Sequence, residues 1–211
     1  MSEVEHKTIV VGVTGASGAV LAQAALRLLE ADARVARIHL VVTDTGARLL
    51  SHELSIATSD AKRLPSLLIG ARATKTEVLP NKDVGASIAS GSYPVDAMVV
   101  IPCSMGTLAT IAAGTSDDLI ARAADVCLKE GRRLVLCVRD TPFSRIHLEN
   151  MLRAQQAGTV IMPAIVSFYH QPKTIDDLVA QFVYRVLAQM GLPQEQAYRW
   201  EGQGKSNAHE A

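Results

Sequence analysis

The stretch from Ala97 to Thr107 reads Ala-Met-Val-Val-Ile-Pro-Cys-Ser-Met-Gly-Thr. An apolar run without polar alternation is typical of a strand covered on both faces, as in a parallel sheet wrapped by helices. Two other apolar runs have the same form. The run over 9–13 is followed by small and polar residues over 14–18, and the run over 134–138 is followed by polar residues over 139–142. Ligands of such sheets bind beyond the carboxyl ends of the strands. We therefore expect the three polar clusters to form one binding site.

The segments between these runs predict a layered α/β protein. Helices are predicted over 19–30, 48–56, 60–68, 84–92, 107–113, 119–130, 146–157 and 174–190, and further strands over 38–42, 76–79 and 160–162. Asp117 is expected to cap the helix that follows it, and Thr174 to Asp177 resemble a capping box. No internal repeat or linker is found, which predicts one α/β sandwich domain over 1–211, with a loose tail over 201–211.

Composition excludes several classes of protein. Lys plus Arg and Asp plus Glu both total 21, so the net charge is zero and neither nucleic acid nor a membrane surface is an expected partner. No apolar run approaches the ~20 residues of a membrane-spanning helix, and the charged start is not typical of a signal peptide. Three cysteines in apolar contexts predict reduced thiols in a cytoplasmic protein. Near-zero charge and alanine-rich faces favour a homo-oligomer.

The turn from Gly15 to Gly18 is a candidate anion site. It lies between a predicted strand and helix, where free backbone N–H groups and the helix dipole favour a phosphate, and Ser17 adds a hydroxyl donor. The alternative is a tight turn that only packs the helix on the sheet. The glycines at 12, 15 and 18 do not form the G-x-G-x-x-G fingerprint of dinucleotide-binding proteins.

The other candidate residues are less specific. Cys103 is either a nucleophile or a structural thiol, and the second interpretation is favoured because no histidine is evidently placed to activate it. His52 and Glu53 do not begin an H-E-x-x-H motif, so no metal site is predicted. The cations that could clamp a second anion are Arg122, Lys129, Arg139 and Arg185. Spacing alone gives no role to Glu53, Tyr169 or Trp200.

Five segments in order resemble the UbiX family of flavin prenyltransferases. They are Thr14-Gly15-Ala16-Ser17-Gly18, Pro102-Cys103-Ser104-Met105-Gly106-Thr107-Leu108, Arg122 to Val126 with Leu128-Lys129-Glu130, Val138-Arg139-Asp140-Thr141-Pro142 with His147-Leu148, and Phe168-Tyr169-His170-Gln171-Pro172. The similarity extends from Thr8 to Trp200 and is poorest between Ala31 and Lys82. One such segment is weak evidence, but five in register are specific.

The resemblance implies a flavodoxin-like or Rossmann-like three-layer sandwich that binds FMN. It implies metal-independent transfer of a dimethylallyl group from dimethylallyl monophosphate to N5 and C6 of reduced FMN, in a homo-oligomer that is expected to be a dodecamer. The product, prenylated FMN, would serve a UbiD-like decarboxylase in ubiquinone biosynthesis or aromatic acid decarboxylation. The donor could also be the diphosphate.

The resemblance also implies the site residues. FMN would be held by Gly15, Ala16, Ser17, Thr43, Ser104, Met105, Gly106, Thr107 and Arg139, with Arg122 nearby. The prenyl phosphate would be held by Ser90, Gly91, Lys129, Tyr169 and Arg185. The catalytic residues would be Glu53, Lys129, Asp140 and Trp200.

Two departures from the family pattern keep alternatives open. Asp140 stands where the family usually has Glu, and Asp118 replaces the usual Asn. Altered acid chemistry could leave a non-catalytic subunit that binds FMN and delivers it to a decarboxylase. The other alternative is a flavin-dependent cysteine decarboxylase of the same fold, although 102–107 lacks the Asn of that class.

Overall fold

The computed structural model describes residues 6–200, so the predicted loose tail over 201–211 lies outside the described residues. The strands are β1 (Lys7–Val13), β2 (Val35–Val42), β3 (Thr76–Pro80), β4 (Ala97–Cys103), β5 (Arg133–Val138) and β6 (Val160–Ile161). The helices are α1 (Ala19–Ala31), α2 (Asp44–Leu54), α3 (Leu64–Ile69), α4 (Met105–Ala113), α5 (Leu119–Lys129), α6 (Arg145–Gln156) and α7 (Ile175–Gln189).

The six strands form one parallel sheet in the order β3-β2-β1-β4-β5-β6. This is a doubly wound arrangement, in which the chain moves outward from β1 to β3 and then returns to add β4, β5 and β6 on the other side. The order reverses between β1 and β4, and ligands of such sheets bind at that switch point. The predicted three-layer α/β sandwich with a central parallel sheet is confirmed.

Two apolar clusters cover the two faces of the sheet. Ile9 and Val11 of β1 pack in one cluster with α1 and α7, whereas Val10 packs in the other with α4 and α5. Successive side chains of one strand therefore enter opposite cores, as the period of a strand requires. Because both faces are buried, β4 is buried along its whole length, which explains why its sequence shows no polar alternation.

One predicted helix begins late and another is largely wrong. The helix predicted over 60–68 begins only at Leu64, as α3, with Pro65 in its first turn, because the Asp60 side chain accepts from Lys62 N and Arg63 N in a turn. In place of a helix over 84–92, only a short 3₁₀ helix forms at Ser87–Ala89. Asx turns of this kind compete with helical hydrogen bonds and end the helical pattern locally.

The cap of α5 is Asp118 rather than the predicted Asp117. The Asp118 carboxylate accepts from Ala121 N at 2.8 Å and from the Asn81 side-chain amide at 3.0 Å. Either Asp or Asn can serve as an N-cap, so this departure from the family pattern has a structural role that both residues fill. The predicted capping box at Thr174 and Asp177 is confirmed at the start of α7.

Candidate functional site

The loops after β1 and β4 are joined at the switch point by one buried hydroxyl. Thr14 Oγ1 donates to Pro102 O at 2.9 Å and accepts from Ser104 N at 2.8 Å. Ser104 in turn caps α4, because its Oγ accepts from Thr107 N. Thr14 was not singled out from the sequence, and only its position directly after an apolar strand could have indicated it. It places the Gly15 to Ser17 loop beside the Ser104 to Thr107 loop.

Gly15 leaves room for the start of the neighbouring helix. Thr43 caps α2, and its Oγ1 lies 3.1 Å from Thr45 Oγ1. A Cβ atom on Gly15 would lie 2.7 Å from the Cβ of Thr45. Real Cβ atoms do not approach so closely, so a side chain at 15 would push the two loops apart.

We therefore predict that Gly15→Ala lowers stability by about 1–3 kcal/mol through overpacking. Thr45→Gly removes the Cβ atom that would collide, so Gly15→Ala should lower the melting temperature much less in a Thr45→Gly background than in the unmodified protein. Thermal unfolding of the two single variants and the double variant measures this. An equal loss from Gly15→Ala in both backgrounds would contradict the prediction.

Glu53 lies across the amino terminus of α1. Its Oε2 accepts from Gly18 N at 3.0 Å and from Ala19 N at 2.8 Å. Burial by itself would raise the pKa of Glu53, but these two hydrogen bonds, the Ser17 hydroxyl and the positive charge of Arg139 together outweigh it. The pKa of Glu53 therefore lies below its ordinary value of 4.5. The end of α1 thus already holds an anionic group supplied by α2.

The lowered pKa of Glu53 predicts a pH-dependent stability. A carboxyl group with a depressed folded-state pKa contributes stability above its unfolded-state pKa, and the contribution is lost as the pH falls through the folded value. Glu53→Gln should therefore unfold at a lower temperature than the unmodified protein at pH 7. The difference should shrink as the pH falls below 4.5. Melting curves between pH 7 and pH 3 test this, and a difference that does not depend on pH would contradict it.

Arg139 and Asp140 follow β5 at the same edge of the sheet. Arg139 N donates to Cys103 O at 3.1 Å, so the loop after β5 is fixed to the end of β4. The side-chain Nε of Arg139 is buried, and among residues 6–200 it has no hydrogen-bond partner. Asp140 Oδ1 accepts from Thr141 N at 2.9 Å and stabilises its own loop. Ser17, Ser104 and Arg139 therefore follow β1, β4 and β5, three adjacent strands, at one edge.

Cys103 is a structural thiol. Its side chain is fully buried, and burial raises its pKa to about 12. A thiol with that pKa is neutral at pH 7 and is a poor nucleophile. The structural interpretation of Cys103 is confirmed.

A second group of predicted residues lies at the opposite edge of the sheet. α5 runs antiparallel to the strands, so Lys129 at its carboxyl end lies near the amino end of β5. Lys129 contacts the Glu130 carboxylate, and both side chains lie over Gly91. A Cβ atom on Gly91 would lie 2.7 Å from Lys129 Nζ and would collide with Glu130. Ser90, Gly91 and Lys129 are thus brought together.

The two groups are far apart within one subunit. The six residues of β5 separate Lys129 from Arg139 by about 20 Å at the usual rise of a strand. Among residues 6–200, no hydrogen bond or ion pair joins Ser90, Gly91 or Lys129 to the carboxyl-edge loops. Within one subunit Lys129 therefore does not lie beside the loops at the carboxyl edge, and its role at the prenyl phosphate stays a prediction.

Arg122 lies beside the second group, and the other predicted residues lie elsewhere. Arg122 Nε donates to Ala89 O at 3.2 Å, and Arg122 also pairs with Asp125. Tyr169 and Trp200 lie edge to face with ring centroids 5.7 Å apart, and both are mostly exposed. Arg185 of α7 lines a cavity of about 370 Å³ beside β6.

Within residues 6–200, no group of three His, Cys, Asp or Glu side chains is arranged to hold a metal ion. No helix in that range is both long and apolar enough to cross a membrane.

The fold and the loops at its switch point are those of a flavoprotein, and the chain matches the Flavoprotein family over residues 1–187. It is 45% identical over 198 residues to the flavin prenyltransferase UbiX of Halalkalibacterium halodurans, a match that covers 93% of this chain and 94% of that protein. The chain belongs to the UbiX family of flavin prenyltransferases. The family predicted from the five sequence segments is confirmed.

Two solved structures are similar to the whole fold. The crystal structure of AnUbiX in complex with FMN and dimethylallyl pyrophosphate matches with a TM-score of 0.82 and 40% identity, over 94% of this chain and 100% of that chain. The dodecameric FMN-dependent UbiX-like decarboxylase from Escherichia coli O157:H7 matches with a TM-score of 0.81 and 43% identity, over 92% of this chain and 100% of that one.

Proposed function

We propose that this protein transfers a dimethylallyl group from dimethylallyl monophosphate to N5 and C6 of reduced FMN. The observation that carries the proposal is the convergence of Ser17, Ser104 and Arg139 at the switch point of a UbiX-family fold. The C–O bond of the ester breaks, N5 of the reduced flavin bonds to the freed allylic carbon and loses its proton, and inorganic phosphate leaves. The C=C bond of the prenyl group then opens: one of its carbons bonds to C6 and the other takes up a proton, while C6 loses a proton, so that phosphate and one proton are released in total.

The carboxyl-edge residues fit FMN. The buried Nε of Arg139 lacks a partner within residues 6–200, and a buried cationic donor of this kind is well suited to an anionic or polar ligand group. Ser104 supplies a hydroxyl at the amino end of α4, where the helix dipole favours a phosphate. Ser17 supplies a second hydroxyl on the neighbouring loop, although the amino end of α1 itself is occupied by the Glu53 carboxylate. Gly15, Thr43 and Thr107 complete the loops that would hold FMN, whose reduced ring supplies the nucleophilic atoms when bound.

The other predicted residues fit the allylic phosphate. Lys129 and Arg185 supply fixed positive charge that stabilises the leaving phosphate without a metal. The exposed faces of Tyr169 and Trp200 can stabilise a developing allylic cation. Glu53 is ionised at neutral pH and can accept the proton that leaves C6, although its lowered pKa makes it a weak base. Asp140 or the departed phosphate is the alternative acceptor.

The separation of Lys129 from Arg139 indicates that one subunit does not make a complete site. A second copy of the chain can bring its own Ser90, Gly91 and Lys129 to the carboxyl edge of the first. The apolar side chains of Phe143, Ile146, Leu148 and Leu152, at and before α6, are exposed in the single subunit. An apolar surface of this size is typical of an interface, which supports a homo-oligomer, and a relative of this chain is dodecameric.

The product of the proposed reaction is a modified flavin, which only a second enzyme can use as a cofactor. We infer that a UbiD-like decarboxylase consumes it. A cytoplasmic location and a single domain over 1–211 remain predictions from the sequence. The three cysteines are buried and free, as expected of a protein kept in a reducing compartment.

One assay tests the proposed reaction against the alternatives. The protein is incubated with reduced FMN and either dimethylallyl monophosphate or the diphosphate. The molecular mass of the extracted flavin is then measured by mass spectrometry. A mass gain of one dimethylallyl unit supports transfer and shows which ester is the donor. Unchanged flavin that stays bound supports a non-catalytic carrier, and turnover of a cysteinyl peptide supports a cysteine decarboxylase. Pure protein with no affinity for FMN would contradict all three.

A further inference from the structure

Two arginine side chains donate hydrogen bonds to the backbone of the segment from Ala89 to Ser92. Arg132 Nη2 donates to Gly91 O at 2.6 Å, and Arg122 Nε donates to Ala89 O at 3.2 Å. The hydroxyls of Ser90 and Ser92 lie 2.9 Å apart. This segment forms no regular helix after Ala89, so its shape depends on these contacts.

The guanidinium of Arg132 is partly buried, although the residue as a whole is half-exposed. Its Nη1 is buried, and no hydrogen-bond partner for it exists within residues 6–200. A buried cationic nitrogen without a partner is unfavourable for folding, and such groups in native structures call for a functional explanation.

We propose that Arg132 is a positioning residue for the prenyl donor. By fixing the Gly91 carbonyl, it holds Ser90 and the Gly91 backbone beside the Lys129 ammonium, so that hydroxyl and cation face the same phosphate. Its charge also lowers the pKa of Glu130, after the larger effect of Lys129 on that carboxyl group. The Glu130 carboxylate contacts the Lys129 ammonium directly. This inference rests on the proposed transferase function.

Gly91 shows why the position of this segment matters. A side chain at 91 would meet both Lys129 and Glu130, so the segment and the ion pair are packed against each other without spare room. A small displacement of the Gly91 carbonyl would therefore move the ammonium as well. Misplacement of a binding group by about 1 Å can cost about a hundredfold in rate.

The test compares Arg132→Met, Arg132→Lys and the control Arg133→Met in the intact oligomer. Arg133 is the matched control because its Nη1 also donates to a backbone carbonyl, that of Gln189 at 2.8 Å, at the end of α7. For each variant, the melting temperature, the Kd of FMN, and the KM and kcat with dimethylallyl monophosphate are measured.

We expect Arg132→Met to raise the KM of the prenyl donor about tenfold and to leave the Kd of FMN within about twofold. Arg132→Lys keeps the charge and one donor, so its KM should rise only about threefold. Arg133→Met should leave both constants unchanged even if it lowers the melting temperature. An unchanged KM in Arg132→Met, or an equal rise in the FMN Kd, would overturn the proposal.

If Arg132→Met does not fold, the KM of Arg132→Lys for the prenyl donor tests the positioning role instead. A KM equal to that of the unmodified protein then rejects this role. Failure of the unmodified protein to prenylate FMN is a different result. It would reject the proposed function itself, and it is seen before any variant is made.

Discussion

Arg139→Ala will leave the protein folded but unable to retain FMN. The buried Nε of Arg139 has no hydrogen-bond partner within residues 6–200. Within that range, removal of the guanidinium therefore costs the protein no hydrogen bond from Nε. A bound anionic or polar group would lose a charged donor in a buried position, which costs about 2–5 kcal/mol and raises the Kd of FMN at least about thirtyfold. Flavin fluorescence after gel filtration and a titration with FMN measure the change.

Lys129→Ala and Arg185→Ala are the matched controls for Arg139→Ala, since each also removes one cation. Lys129 lies at the opposite edge of the sheet, and Arg185 lines the cavity formed by the residues that follow β6. Neither residue belongs to the loops after β1, β4 and β5, so we expect FMN retention to change less than about threefold while use of the prenyl phosphate falls at least about a hundredfold. Equal loss of FMN and of prenyl transfer in all three variants would show that the two anion sites are assigned wrongly.

The strands and the edge where they end are predictable from sequence because their signal is local. The apolar run of β4 and the polar residues directly after it occupy one short segment, and the sheet places them as a parallel α/β sheet must. The helix expected over 84–92 fails because the Asp83 side chain and Gly85 form a turn that periodicity does not reveal.

The site is less predictable because its contacts join distant segments. Glu53 meets the amino end of α1 from 34 residues away, and nothing in the spacing of either segment indicates that contact. The position of Lys129 at the amino end of β5 already follows from the predicted order of helix and strand, because the helix ends just before the strand begins. A family resemblance names the residues of a site without telling which subunit supplies each one.

Mixing two inactive variants should restore prenyl transfer. If the site combines Arg139 of one copy with Lys129 of another, a subunit carrying Lys129→Ala still offers an intact Arg139, and a subunit carrying Arg139→Ala still offers an intact Lys129. Coexpressing the two at equal levels, with different affinity tags, yields mixed oligomers after two purification steps. Random assembly leaves about a quarter of the sites with both residues intact, so activity should return to about a quarter of that of the unmodified protein.

The control pairs two variants of the same half-site. Arg139→Ala and Gly15→Val both damage the carboxyl-edge loops, so no mixed oligomer of these two contains an intact FMN site and no activity should return. Recovery in this control would mean that Gly15 and Arg139 of one FMN site come from different copies. Absence of recovery in the Lys129→Ala and Arg139→Ala mixture would contradict a site that is shared between copies.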